Sequence, residues 1–319
     1  MKIRLSPLLL CLALLAGVLS GCGGAAERDN GKLSVVATVF PLWDWTRELL
    51  DGGADEIELT LLLDNGTDLH SYQPTVDDLV TISSADLLIY VGGESDGWIE
   101  DALSEKANPD LIAVDLMEVL SDRRKIEERV EGMRGGAEEE AEFDEHVWLS
   151  LKNAELCCIA IADALTRLSP GLADRVTENR TAYFARLEAL EARYREAFNG
   201  DAQHTLLFAD RFPFRYLLDD YGFSYYAAFA GCEAETGASF ETVVFLAERI
   251  DALNLPAVLT TDSPVPRLAE TIVANTKNGN SAILELDSMQ SVTRADIGGG
   301  ASYLGIMESN LEVLKEALR

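Results

Sequence analysis

The chain has 319 residues, with 26 Lys and Arg against 55 Asp and Glu and a formal net charge of −29. So acidic a surface repels nucleic acid and favours small cations, which excludes nucleic-acid binding. Five cysteines without a CxxC spacing exclude a disulfide framework and a cysteine-based zinc motif.

At the start, Lys2 and Arg4 precede an apolar run from Leu8 to Leu19 and then Ser20-Gly21-Cys22, the order of a secretory signal. The run falls short of the about 20 residues that a membrane-spanning helix needs. A small residue directly before cysteine resembles the lipobox of bacterial lipoproteins. That resemblance implies removal of residues 1–21, acylation of Cys22 and anchoring in lipid at the outer face of the cytoplasmic membrane, or a periplasmic location. Residues 22–32, rich in Gly and small polar residues, then form a flexible leash.

From Leu33 the pattern alternates between strand and helix. Leu33 to Phe40 is β-rich and stops at Pro41, Leu42 to Leu50 is helix-like, Ile57 to Leu63 is a strand and Val76 to Ser83 a helix. Leu87 to Val91 is a third strand running into Gly92-Gly93, Trp98 to Leu103 a helix, and Leu111 to Val114 a short strand. Such alternation implies mostly parallel sheet. Lys125 to Glu145 is polar and glutamate-rich and reads as a mobile acidic loop, because it cannot bury enough apolar area to offset its ordering entropy.

Asn153 to Leu165 has a helical period and takes Cys157 and Cys158 into the core. Pro170 to Phe198 has another, with Pro170 just inside the start and Gly200 just past the end, which predicts one long helix able to bridge two lobes. Afterwards the alternation resumes, and Gly300 to Leu318 closes the chain as a helix. The expected organisation is a signal peptide at 1–21, a leash at 22–32, an N-terminal α/β lobe at 33–168, a linking helix at 169–200 and a C-terminal α/β lobe at 201–319. The fold class is α/β, with two Rossmann-like lobes and a cleft between them.

Only three histidines occur, so each is informative. His70 follows the strand at 57–63 and precedes a helix, in the crevice beyond a strand's carboxyl end where α/β sheets bind ligands. His146 stands where the acidic loop gives way to Val147-Trp148-Leu149-Ser150. Neutral imidazole is the commonest metal ligand, and with neighbouring carboxylates the two make a plausible metal site. His204 precedes a strand, at the end away from the crevice, and reads as a surface residue.

Three blocks carry a family resemblance: Phe40-Pro41-Leu42-Trp43-Asp44; His70-Ser71-Tyr72-Gln73-Pro74-Thr75 with Ala85-Asp86-Leu87-Leu88-Ile89-Tyr90; and His146-Val147-Trp148-Leu149-Ser150 with Lys152-Asn153-Ala154. Together they resemble the metal-specific solute-binding proteins of zinc and manganese ABC importers, from about Leu33 to Leu318. The resemblance implies one metal ion between two lobes joined by a rigid long helix, delivery to a membrane permease, and no catalysis. It maps the first two ligands onto His70 and His146. At the third place strict register gives Arg211, whose guanidinium stays protonated and cannot bind a cation, so Asp210 is the expected donor. The fourth falls on Asp287, with Glu285 a weaker candidate, and Glu233 and Glu235 are expected to orient a ligand from outside.

The implied cargo is Zn2+, with Mn2+ or Fe2+ as alternatives because oxygen donors suit harder ions; the implied species is a monomer. A metal-dependent hydrolase is a competing class, against which the chain has no HExxH motif and no P-loop. A metal-free adhesin on the same fold is a third.

Overall fold

The computed structural model describes residues 31–51, 54–133, 142–199, 204–231, 237–261 and 266–319. Cys22 and the signal, Glu233, Glu235 and Glu138 to Glu140 therefore lie outside the described residues. Among those described, no helix is long and apolar enough to cross a membrane.

The N-terminal sheet comprises β1 (Leu33–Ala37), β2 (Ile57–Leu61), β3 (Leu87–Tyr90) and β4 (Ile112–Asp115), all parallel in the order β2-β1-β3-β4. The C-terminal sheet repeats that order with β5 (Thr205–Phe212), β6 (Ser224–Ala230), β7 (Ala257–Thr260) and β8 (Ala282–Glu285) as β6-β5-β7-β8, again parallel. In β1 the apolar Val35, Val36 and Ala37 are all buried, as expected of a central strand covered on both faces.

Helices α1 (Phe40–Leu49), α2 (Val76–Ser84), α3 (Trp98–Ser104) and α4 (Leu116–Val119) connect the first sheet. Helix α1 carries Pro41 in its first turn, where the missing amide costs nothing. Thr75 and Asp78 close a reciprocal capping box on α2. Helix α5 (Leu151–Leu168), capped by Ser150, buries Cys157 and Cys158 as expected.

The long helix α6 (Ala173–Phe198) has 26 residues, about 39 Å at 1.5 Å per residue. Pro170–Leu172 forms a 3-10 turn ahead of it instead of joining the α-helix. Its buried residues Val176, Tyr183, Leu187, Leu190, Tyr194 and Phe198 form one stripe, so a largely polar helix is held by a single apolar face. The second lobe adds α7 (Arg215–Tyr221), α8 (Phe240–Leu253), α9 (Arg267–Ala274), α10 (Arg294–Gly298) and α11 (Tyr303–Ala317).

Two features depart from the sequence expectation. The flanks of the acidic loop are docked: Ile126 and Phe143 form an antiparallel bridge, Lys125 pairs with Asp219 at 2.7 Å, Glu128 pairs with Arg215, and the Gly132 carbonyl accepts from Thr242. These charges find partners on the other lobe, which composition cannot display. The last helix also belongs to both lobes. The Tyr303 amide donates to Asp44 at 2.8 Å, its ring packs edge-on against Trp45, and its hydroxyl donates to the Trp148 carbonyl at 2.7 Å. One apolar core accordingly runs through residues of both lobes.

Replacing Tyr303 by Phe removes that hydroxyl and leaves a buried carbonyl without its donor. The expected cost is about 1–3 kcal/mol in urea unfolding; an unchanged midpoint would show that the hydrogen bond contributes nothing.

Candidate metal site

The carboxyl ends of both sheets converge on one seam, and His70 and His146 meet there. His70 sits in a 3-10 turn, Leu69–Ser71, capped by Asp68, whose Oδ1 accepts the His70 amide at 2.9 Å. His146 is fully buried, and Asp144 Oδ1 accepts both its amide and its Nδ1–H, each at 2.9 Å. The Asp144 carbonyl is in turn held by the Tyr216 hydroxyl across the seam. Trp148 packs edge-on against His146, and its indole N–H donates to the Ser288 carbonyl of the second lobe at 2.9 Å.

The two Nε2 atoms face each other at 3.0 Å. Two nitrogens on one tetrahedral ion at about 2.0–2.1 Å would lie about 3.3 Å apart, so an ion fits between these rings after a small displacement.

Electrostatics separate the two rings. Burial lowers the pKa of His70, and His146 and Arg211 lower it further against the opposing pull of Asp68, to about 3. Burial also lowers that of His146, but Asp144 and then Glu145 and Asp68 outweigh it and leave the value raised. His70 is thus the neutral acceptor, and His146 is the ring that can hold the proton lying between them.

The other expected donors accept backbone amides. Asp210 is 7% exposed, and its two oxygens accept the Arg211 and Thr261 amides at 2.9 and 3.1 Å, tying β5 to the end of β7. Asp287 accepts the Met289 amide at 2.7 Å; burial raises its pKa, with the charges of Glu285 and Asp296 adding to that rise. Arg211 reaches across the seam to Asp68 at 2.6 Å. Burial pushes Asp68 up, yet Arg211 and His70 bring it below the usual carboxylate range. His204 lies against Phe198 and Phe223, before β5. Among the described residues, no three His, Cys, Asp or Glu side chains are gathered closely enough to hold a metal ion.

Sequence reasoning missed two residues beside the pair, and an orphaned amide oxygen at Gln290. Ser95 Oγ is 2.7 Å from His70 Nδ1, and Glu145 Oε2 is 3.7 Å from the same nitrogen. Gln290 is 8% exposed, and its Oε1 has no hydrogen-bond partner among the described residues.

Ser95 also stands in Gly93-Glu94-Ser95-Asp96-Gly97, a G-x-S-x-G spacing between a strand and a helix as in a nucleophile elbow. Burial holds His70 well below the usual imidazole range, which disfavours that ring as a base for the hydroxyl.

Three comparisons bear on this geometry. The family model described as zinc-uptake complex component A, periplasmic (ZnuA), matches residues 35–317. The zinc-binding lipoprotein AdcA of Streptococcus pneumoniae serotype 4 is 27% identical over 311 residues; the match takes in 97% of this chain and 60% of AdcA. This chain thus spans less than two thirds of that relative's length. The high-affinity zinc uptake system protein ZnuA of Bacillus subtilis is 23% identical, with 94% of each chain covered. Among solved structures, the periplasmic zinc-binding protein TroA of Treponema pallidum superposes with a TM-score of 0.74 at 26% identity, over 90% of this chain and 99% of that one.

Behind the pair, Asp96 Oδ2 accepts the Val91 and Gly92 amides at 2.9 and 3.1 Å. Burial raises its pKa to about 7, opposed by the Gly92 amide and assisted by Glu145. The folded state therefore holds this proton more tightly than the unfolded chain. The group's contribution to stability is largest at low pH and falls as pH rises from about 4 to about 7. In Asp96→Asn that dependence should vanish, so the stability difference, wild type minus variant, should fall across this window in urea titrations; a difference that does not change with pH would refute the assignment.

Proposed function

Because this chain belongs to the family of zinc-uptake complex A components, we propose that it is the extracytoplasmic solute-binding protein of a metal ABC importer. It captures a divalent ion, zinc, and delivers it to a membrane permease, without catalysis. The observation that carries this reading is the pair of buried imidazole nitrogens facing each other at 3.0 Å, each ring tethered through its Nδ1. Fixing one nitrogen so that the other presents its lone pair is the usual arrangement of metal-ligating histidines.

His70 and His146 supply two donors, and nitrogen donors suit zinc better than manganese. Asp210 and Asp287 are proposed as further donors on the family resemblance, and each carboxylate also accepts backbone amides. Export and anchoring through an acylated Cys22 are part of the same proposal, supported by the signal-like start of the chain and by a relative described as a lipoprotein.

Calorimetric titration with zinc is the test. The double variant His70→Ala, His146→Ala should lose more affinity than the about 10–100-fold that follows loss of an outer partner. Wild-type affinity in that variant would rule out the site.

A further inference from the structure

We infer that Glu145 is a positioning residue that, together with the hydroxyl of Ser95, fixes which nitrogen of His70 carries the proton. The inference rests on the reading of His70 and His146 as metal donors and goes beyond it, because neither Glu145 nor Ser95 faces the ion.

Glu145 is 3% exposed, and its carboxylate is cradled by the loop after β3. The Ser95 amide donates to Oε1 at 3.0 Å, and Oε2, which has no hydrogen-bond partner among the described residues, lies 3.7 Å from His70 Nδ1. That loop is shaped around the carboxylate: Gly93 has φ +91°, and a Cβ there would overlap Glu145 Oε1.

A buried carboxylate oxygen 3.7 Å from Nδ1 stabilises a hydrogen on that nitrogen, and Ser95 Oγ at 2.7 Å offers that hydrogen a lone pair. A hydrogen on Nδ1 leaves Nε2 bare and aimed at His146. Without the carboxylate the hydroxyl can turn and donate to Nδ1, which moves the proton to Nε2 and blocks the donor. His146 needs no hydroxyl, because Asp144 accepts its Nδ1–H directly. The tripeptide Asp144-Glu145-His146 therefore carries one ligand and the outer carboxylate of both.

With only three histidines, ring nitrogens can be assigned by long-range proton–nitrogen correlation in the metal-free full chain at one fixed neutral pH. The wild type should show His70 as the Nδ1–H tautomer. Both Glu145→Gln and Ser95→Ala should populate Nε2–H and lower zinc affinity by about 10–100-fold in competition with a chromophoric chelator. A wild-type tautomer in either folded variant, with or without loss of affinity, overturns the inference, as does a shifted tautomer with unchanged affinity. If Glu145→Gln does not fold, Ser95→Ala decides alone, since it leaves the carboxylate in place. His70→Ala serves as the control: if it binds zinc as the wild type does, the metal reading itself fails, whatever the other two variants show.

Discussion

Two imidazole nitrogens buried 3.0 Å apart cannot both carry a proton, and they repel if neither does. Something positive must lie between them, a shared proton or, in the proposed function, a metal ion. The surroundings follow from that constraint. Asp144 makes His146 the basic ring, burial and Arg211 keep His70 neutral, and Trp148 closes one side while its indole grips the second lobe. Carboxylates lie behind both rings, so the seam favours a cation without placing a charged oxygen between the nitrogens.

Much of this was readable from sequence because it rests on local pattern. The period-two and period-3.6 stretches gave the alternation of parallel strands and helices, and the scarcity of histidine singled out His70 and His146. The remainder depends on which way a side chain turns. Strand β5 continues to Phe212 through an irregular register near Arg211, so Asp210 lies within the strand and binds neighbouring amides. Ser95 and Glu145 were invisible for a related reason: they meet His70 only through the turn at Gly92-Gly93, and no motif connects positions 70, 95 and 145.

The acidic segment shows the same limit from the other side. Its composition promises solvation, yet Lys125, Glu128 and Gly132 engage the second lobe, and Gly132 has no side chain to collide with the Phe245 ring. Together with the Asp68–Arg211 pair, these contacts make the seam a network of charged and hydrogen-bonded crossings beside a shared apolar core. These pairs are partly exposed, so salt weakens them more than it weakens the core.

The return of α11 to the first lobe bears on the order in which the molecule can form. Tyr303 lies 259 residues from Asp44 and 155 from Trp148, yet it completes the packing around Trp45. The N-terminal sheet can assemble early from near neighbours, but its helical layer stays unfinished until the last fifteen-residue helix arrives. Closing so long a loop is slow. The ring that packs against His146 is thereby tied to the final stretch of chain, and a nascent or truncated molecule holds both imidazoles before Tyr303 fixes the backbone of Trp148.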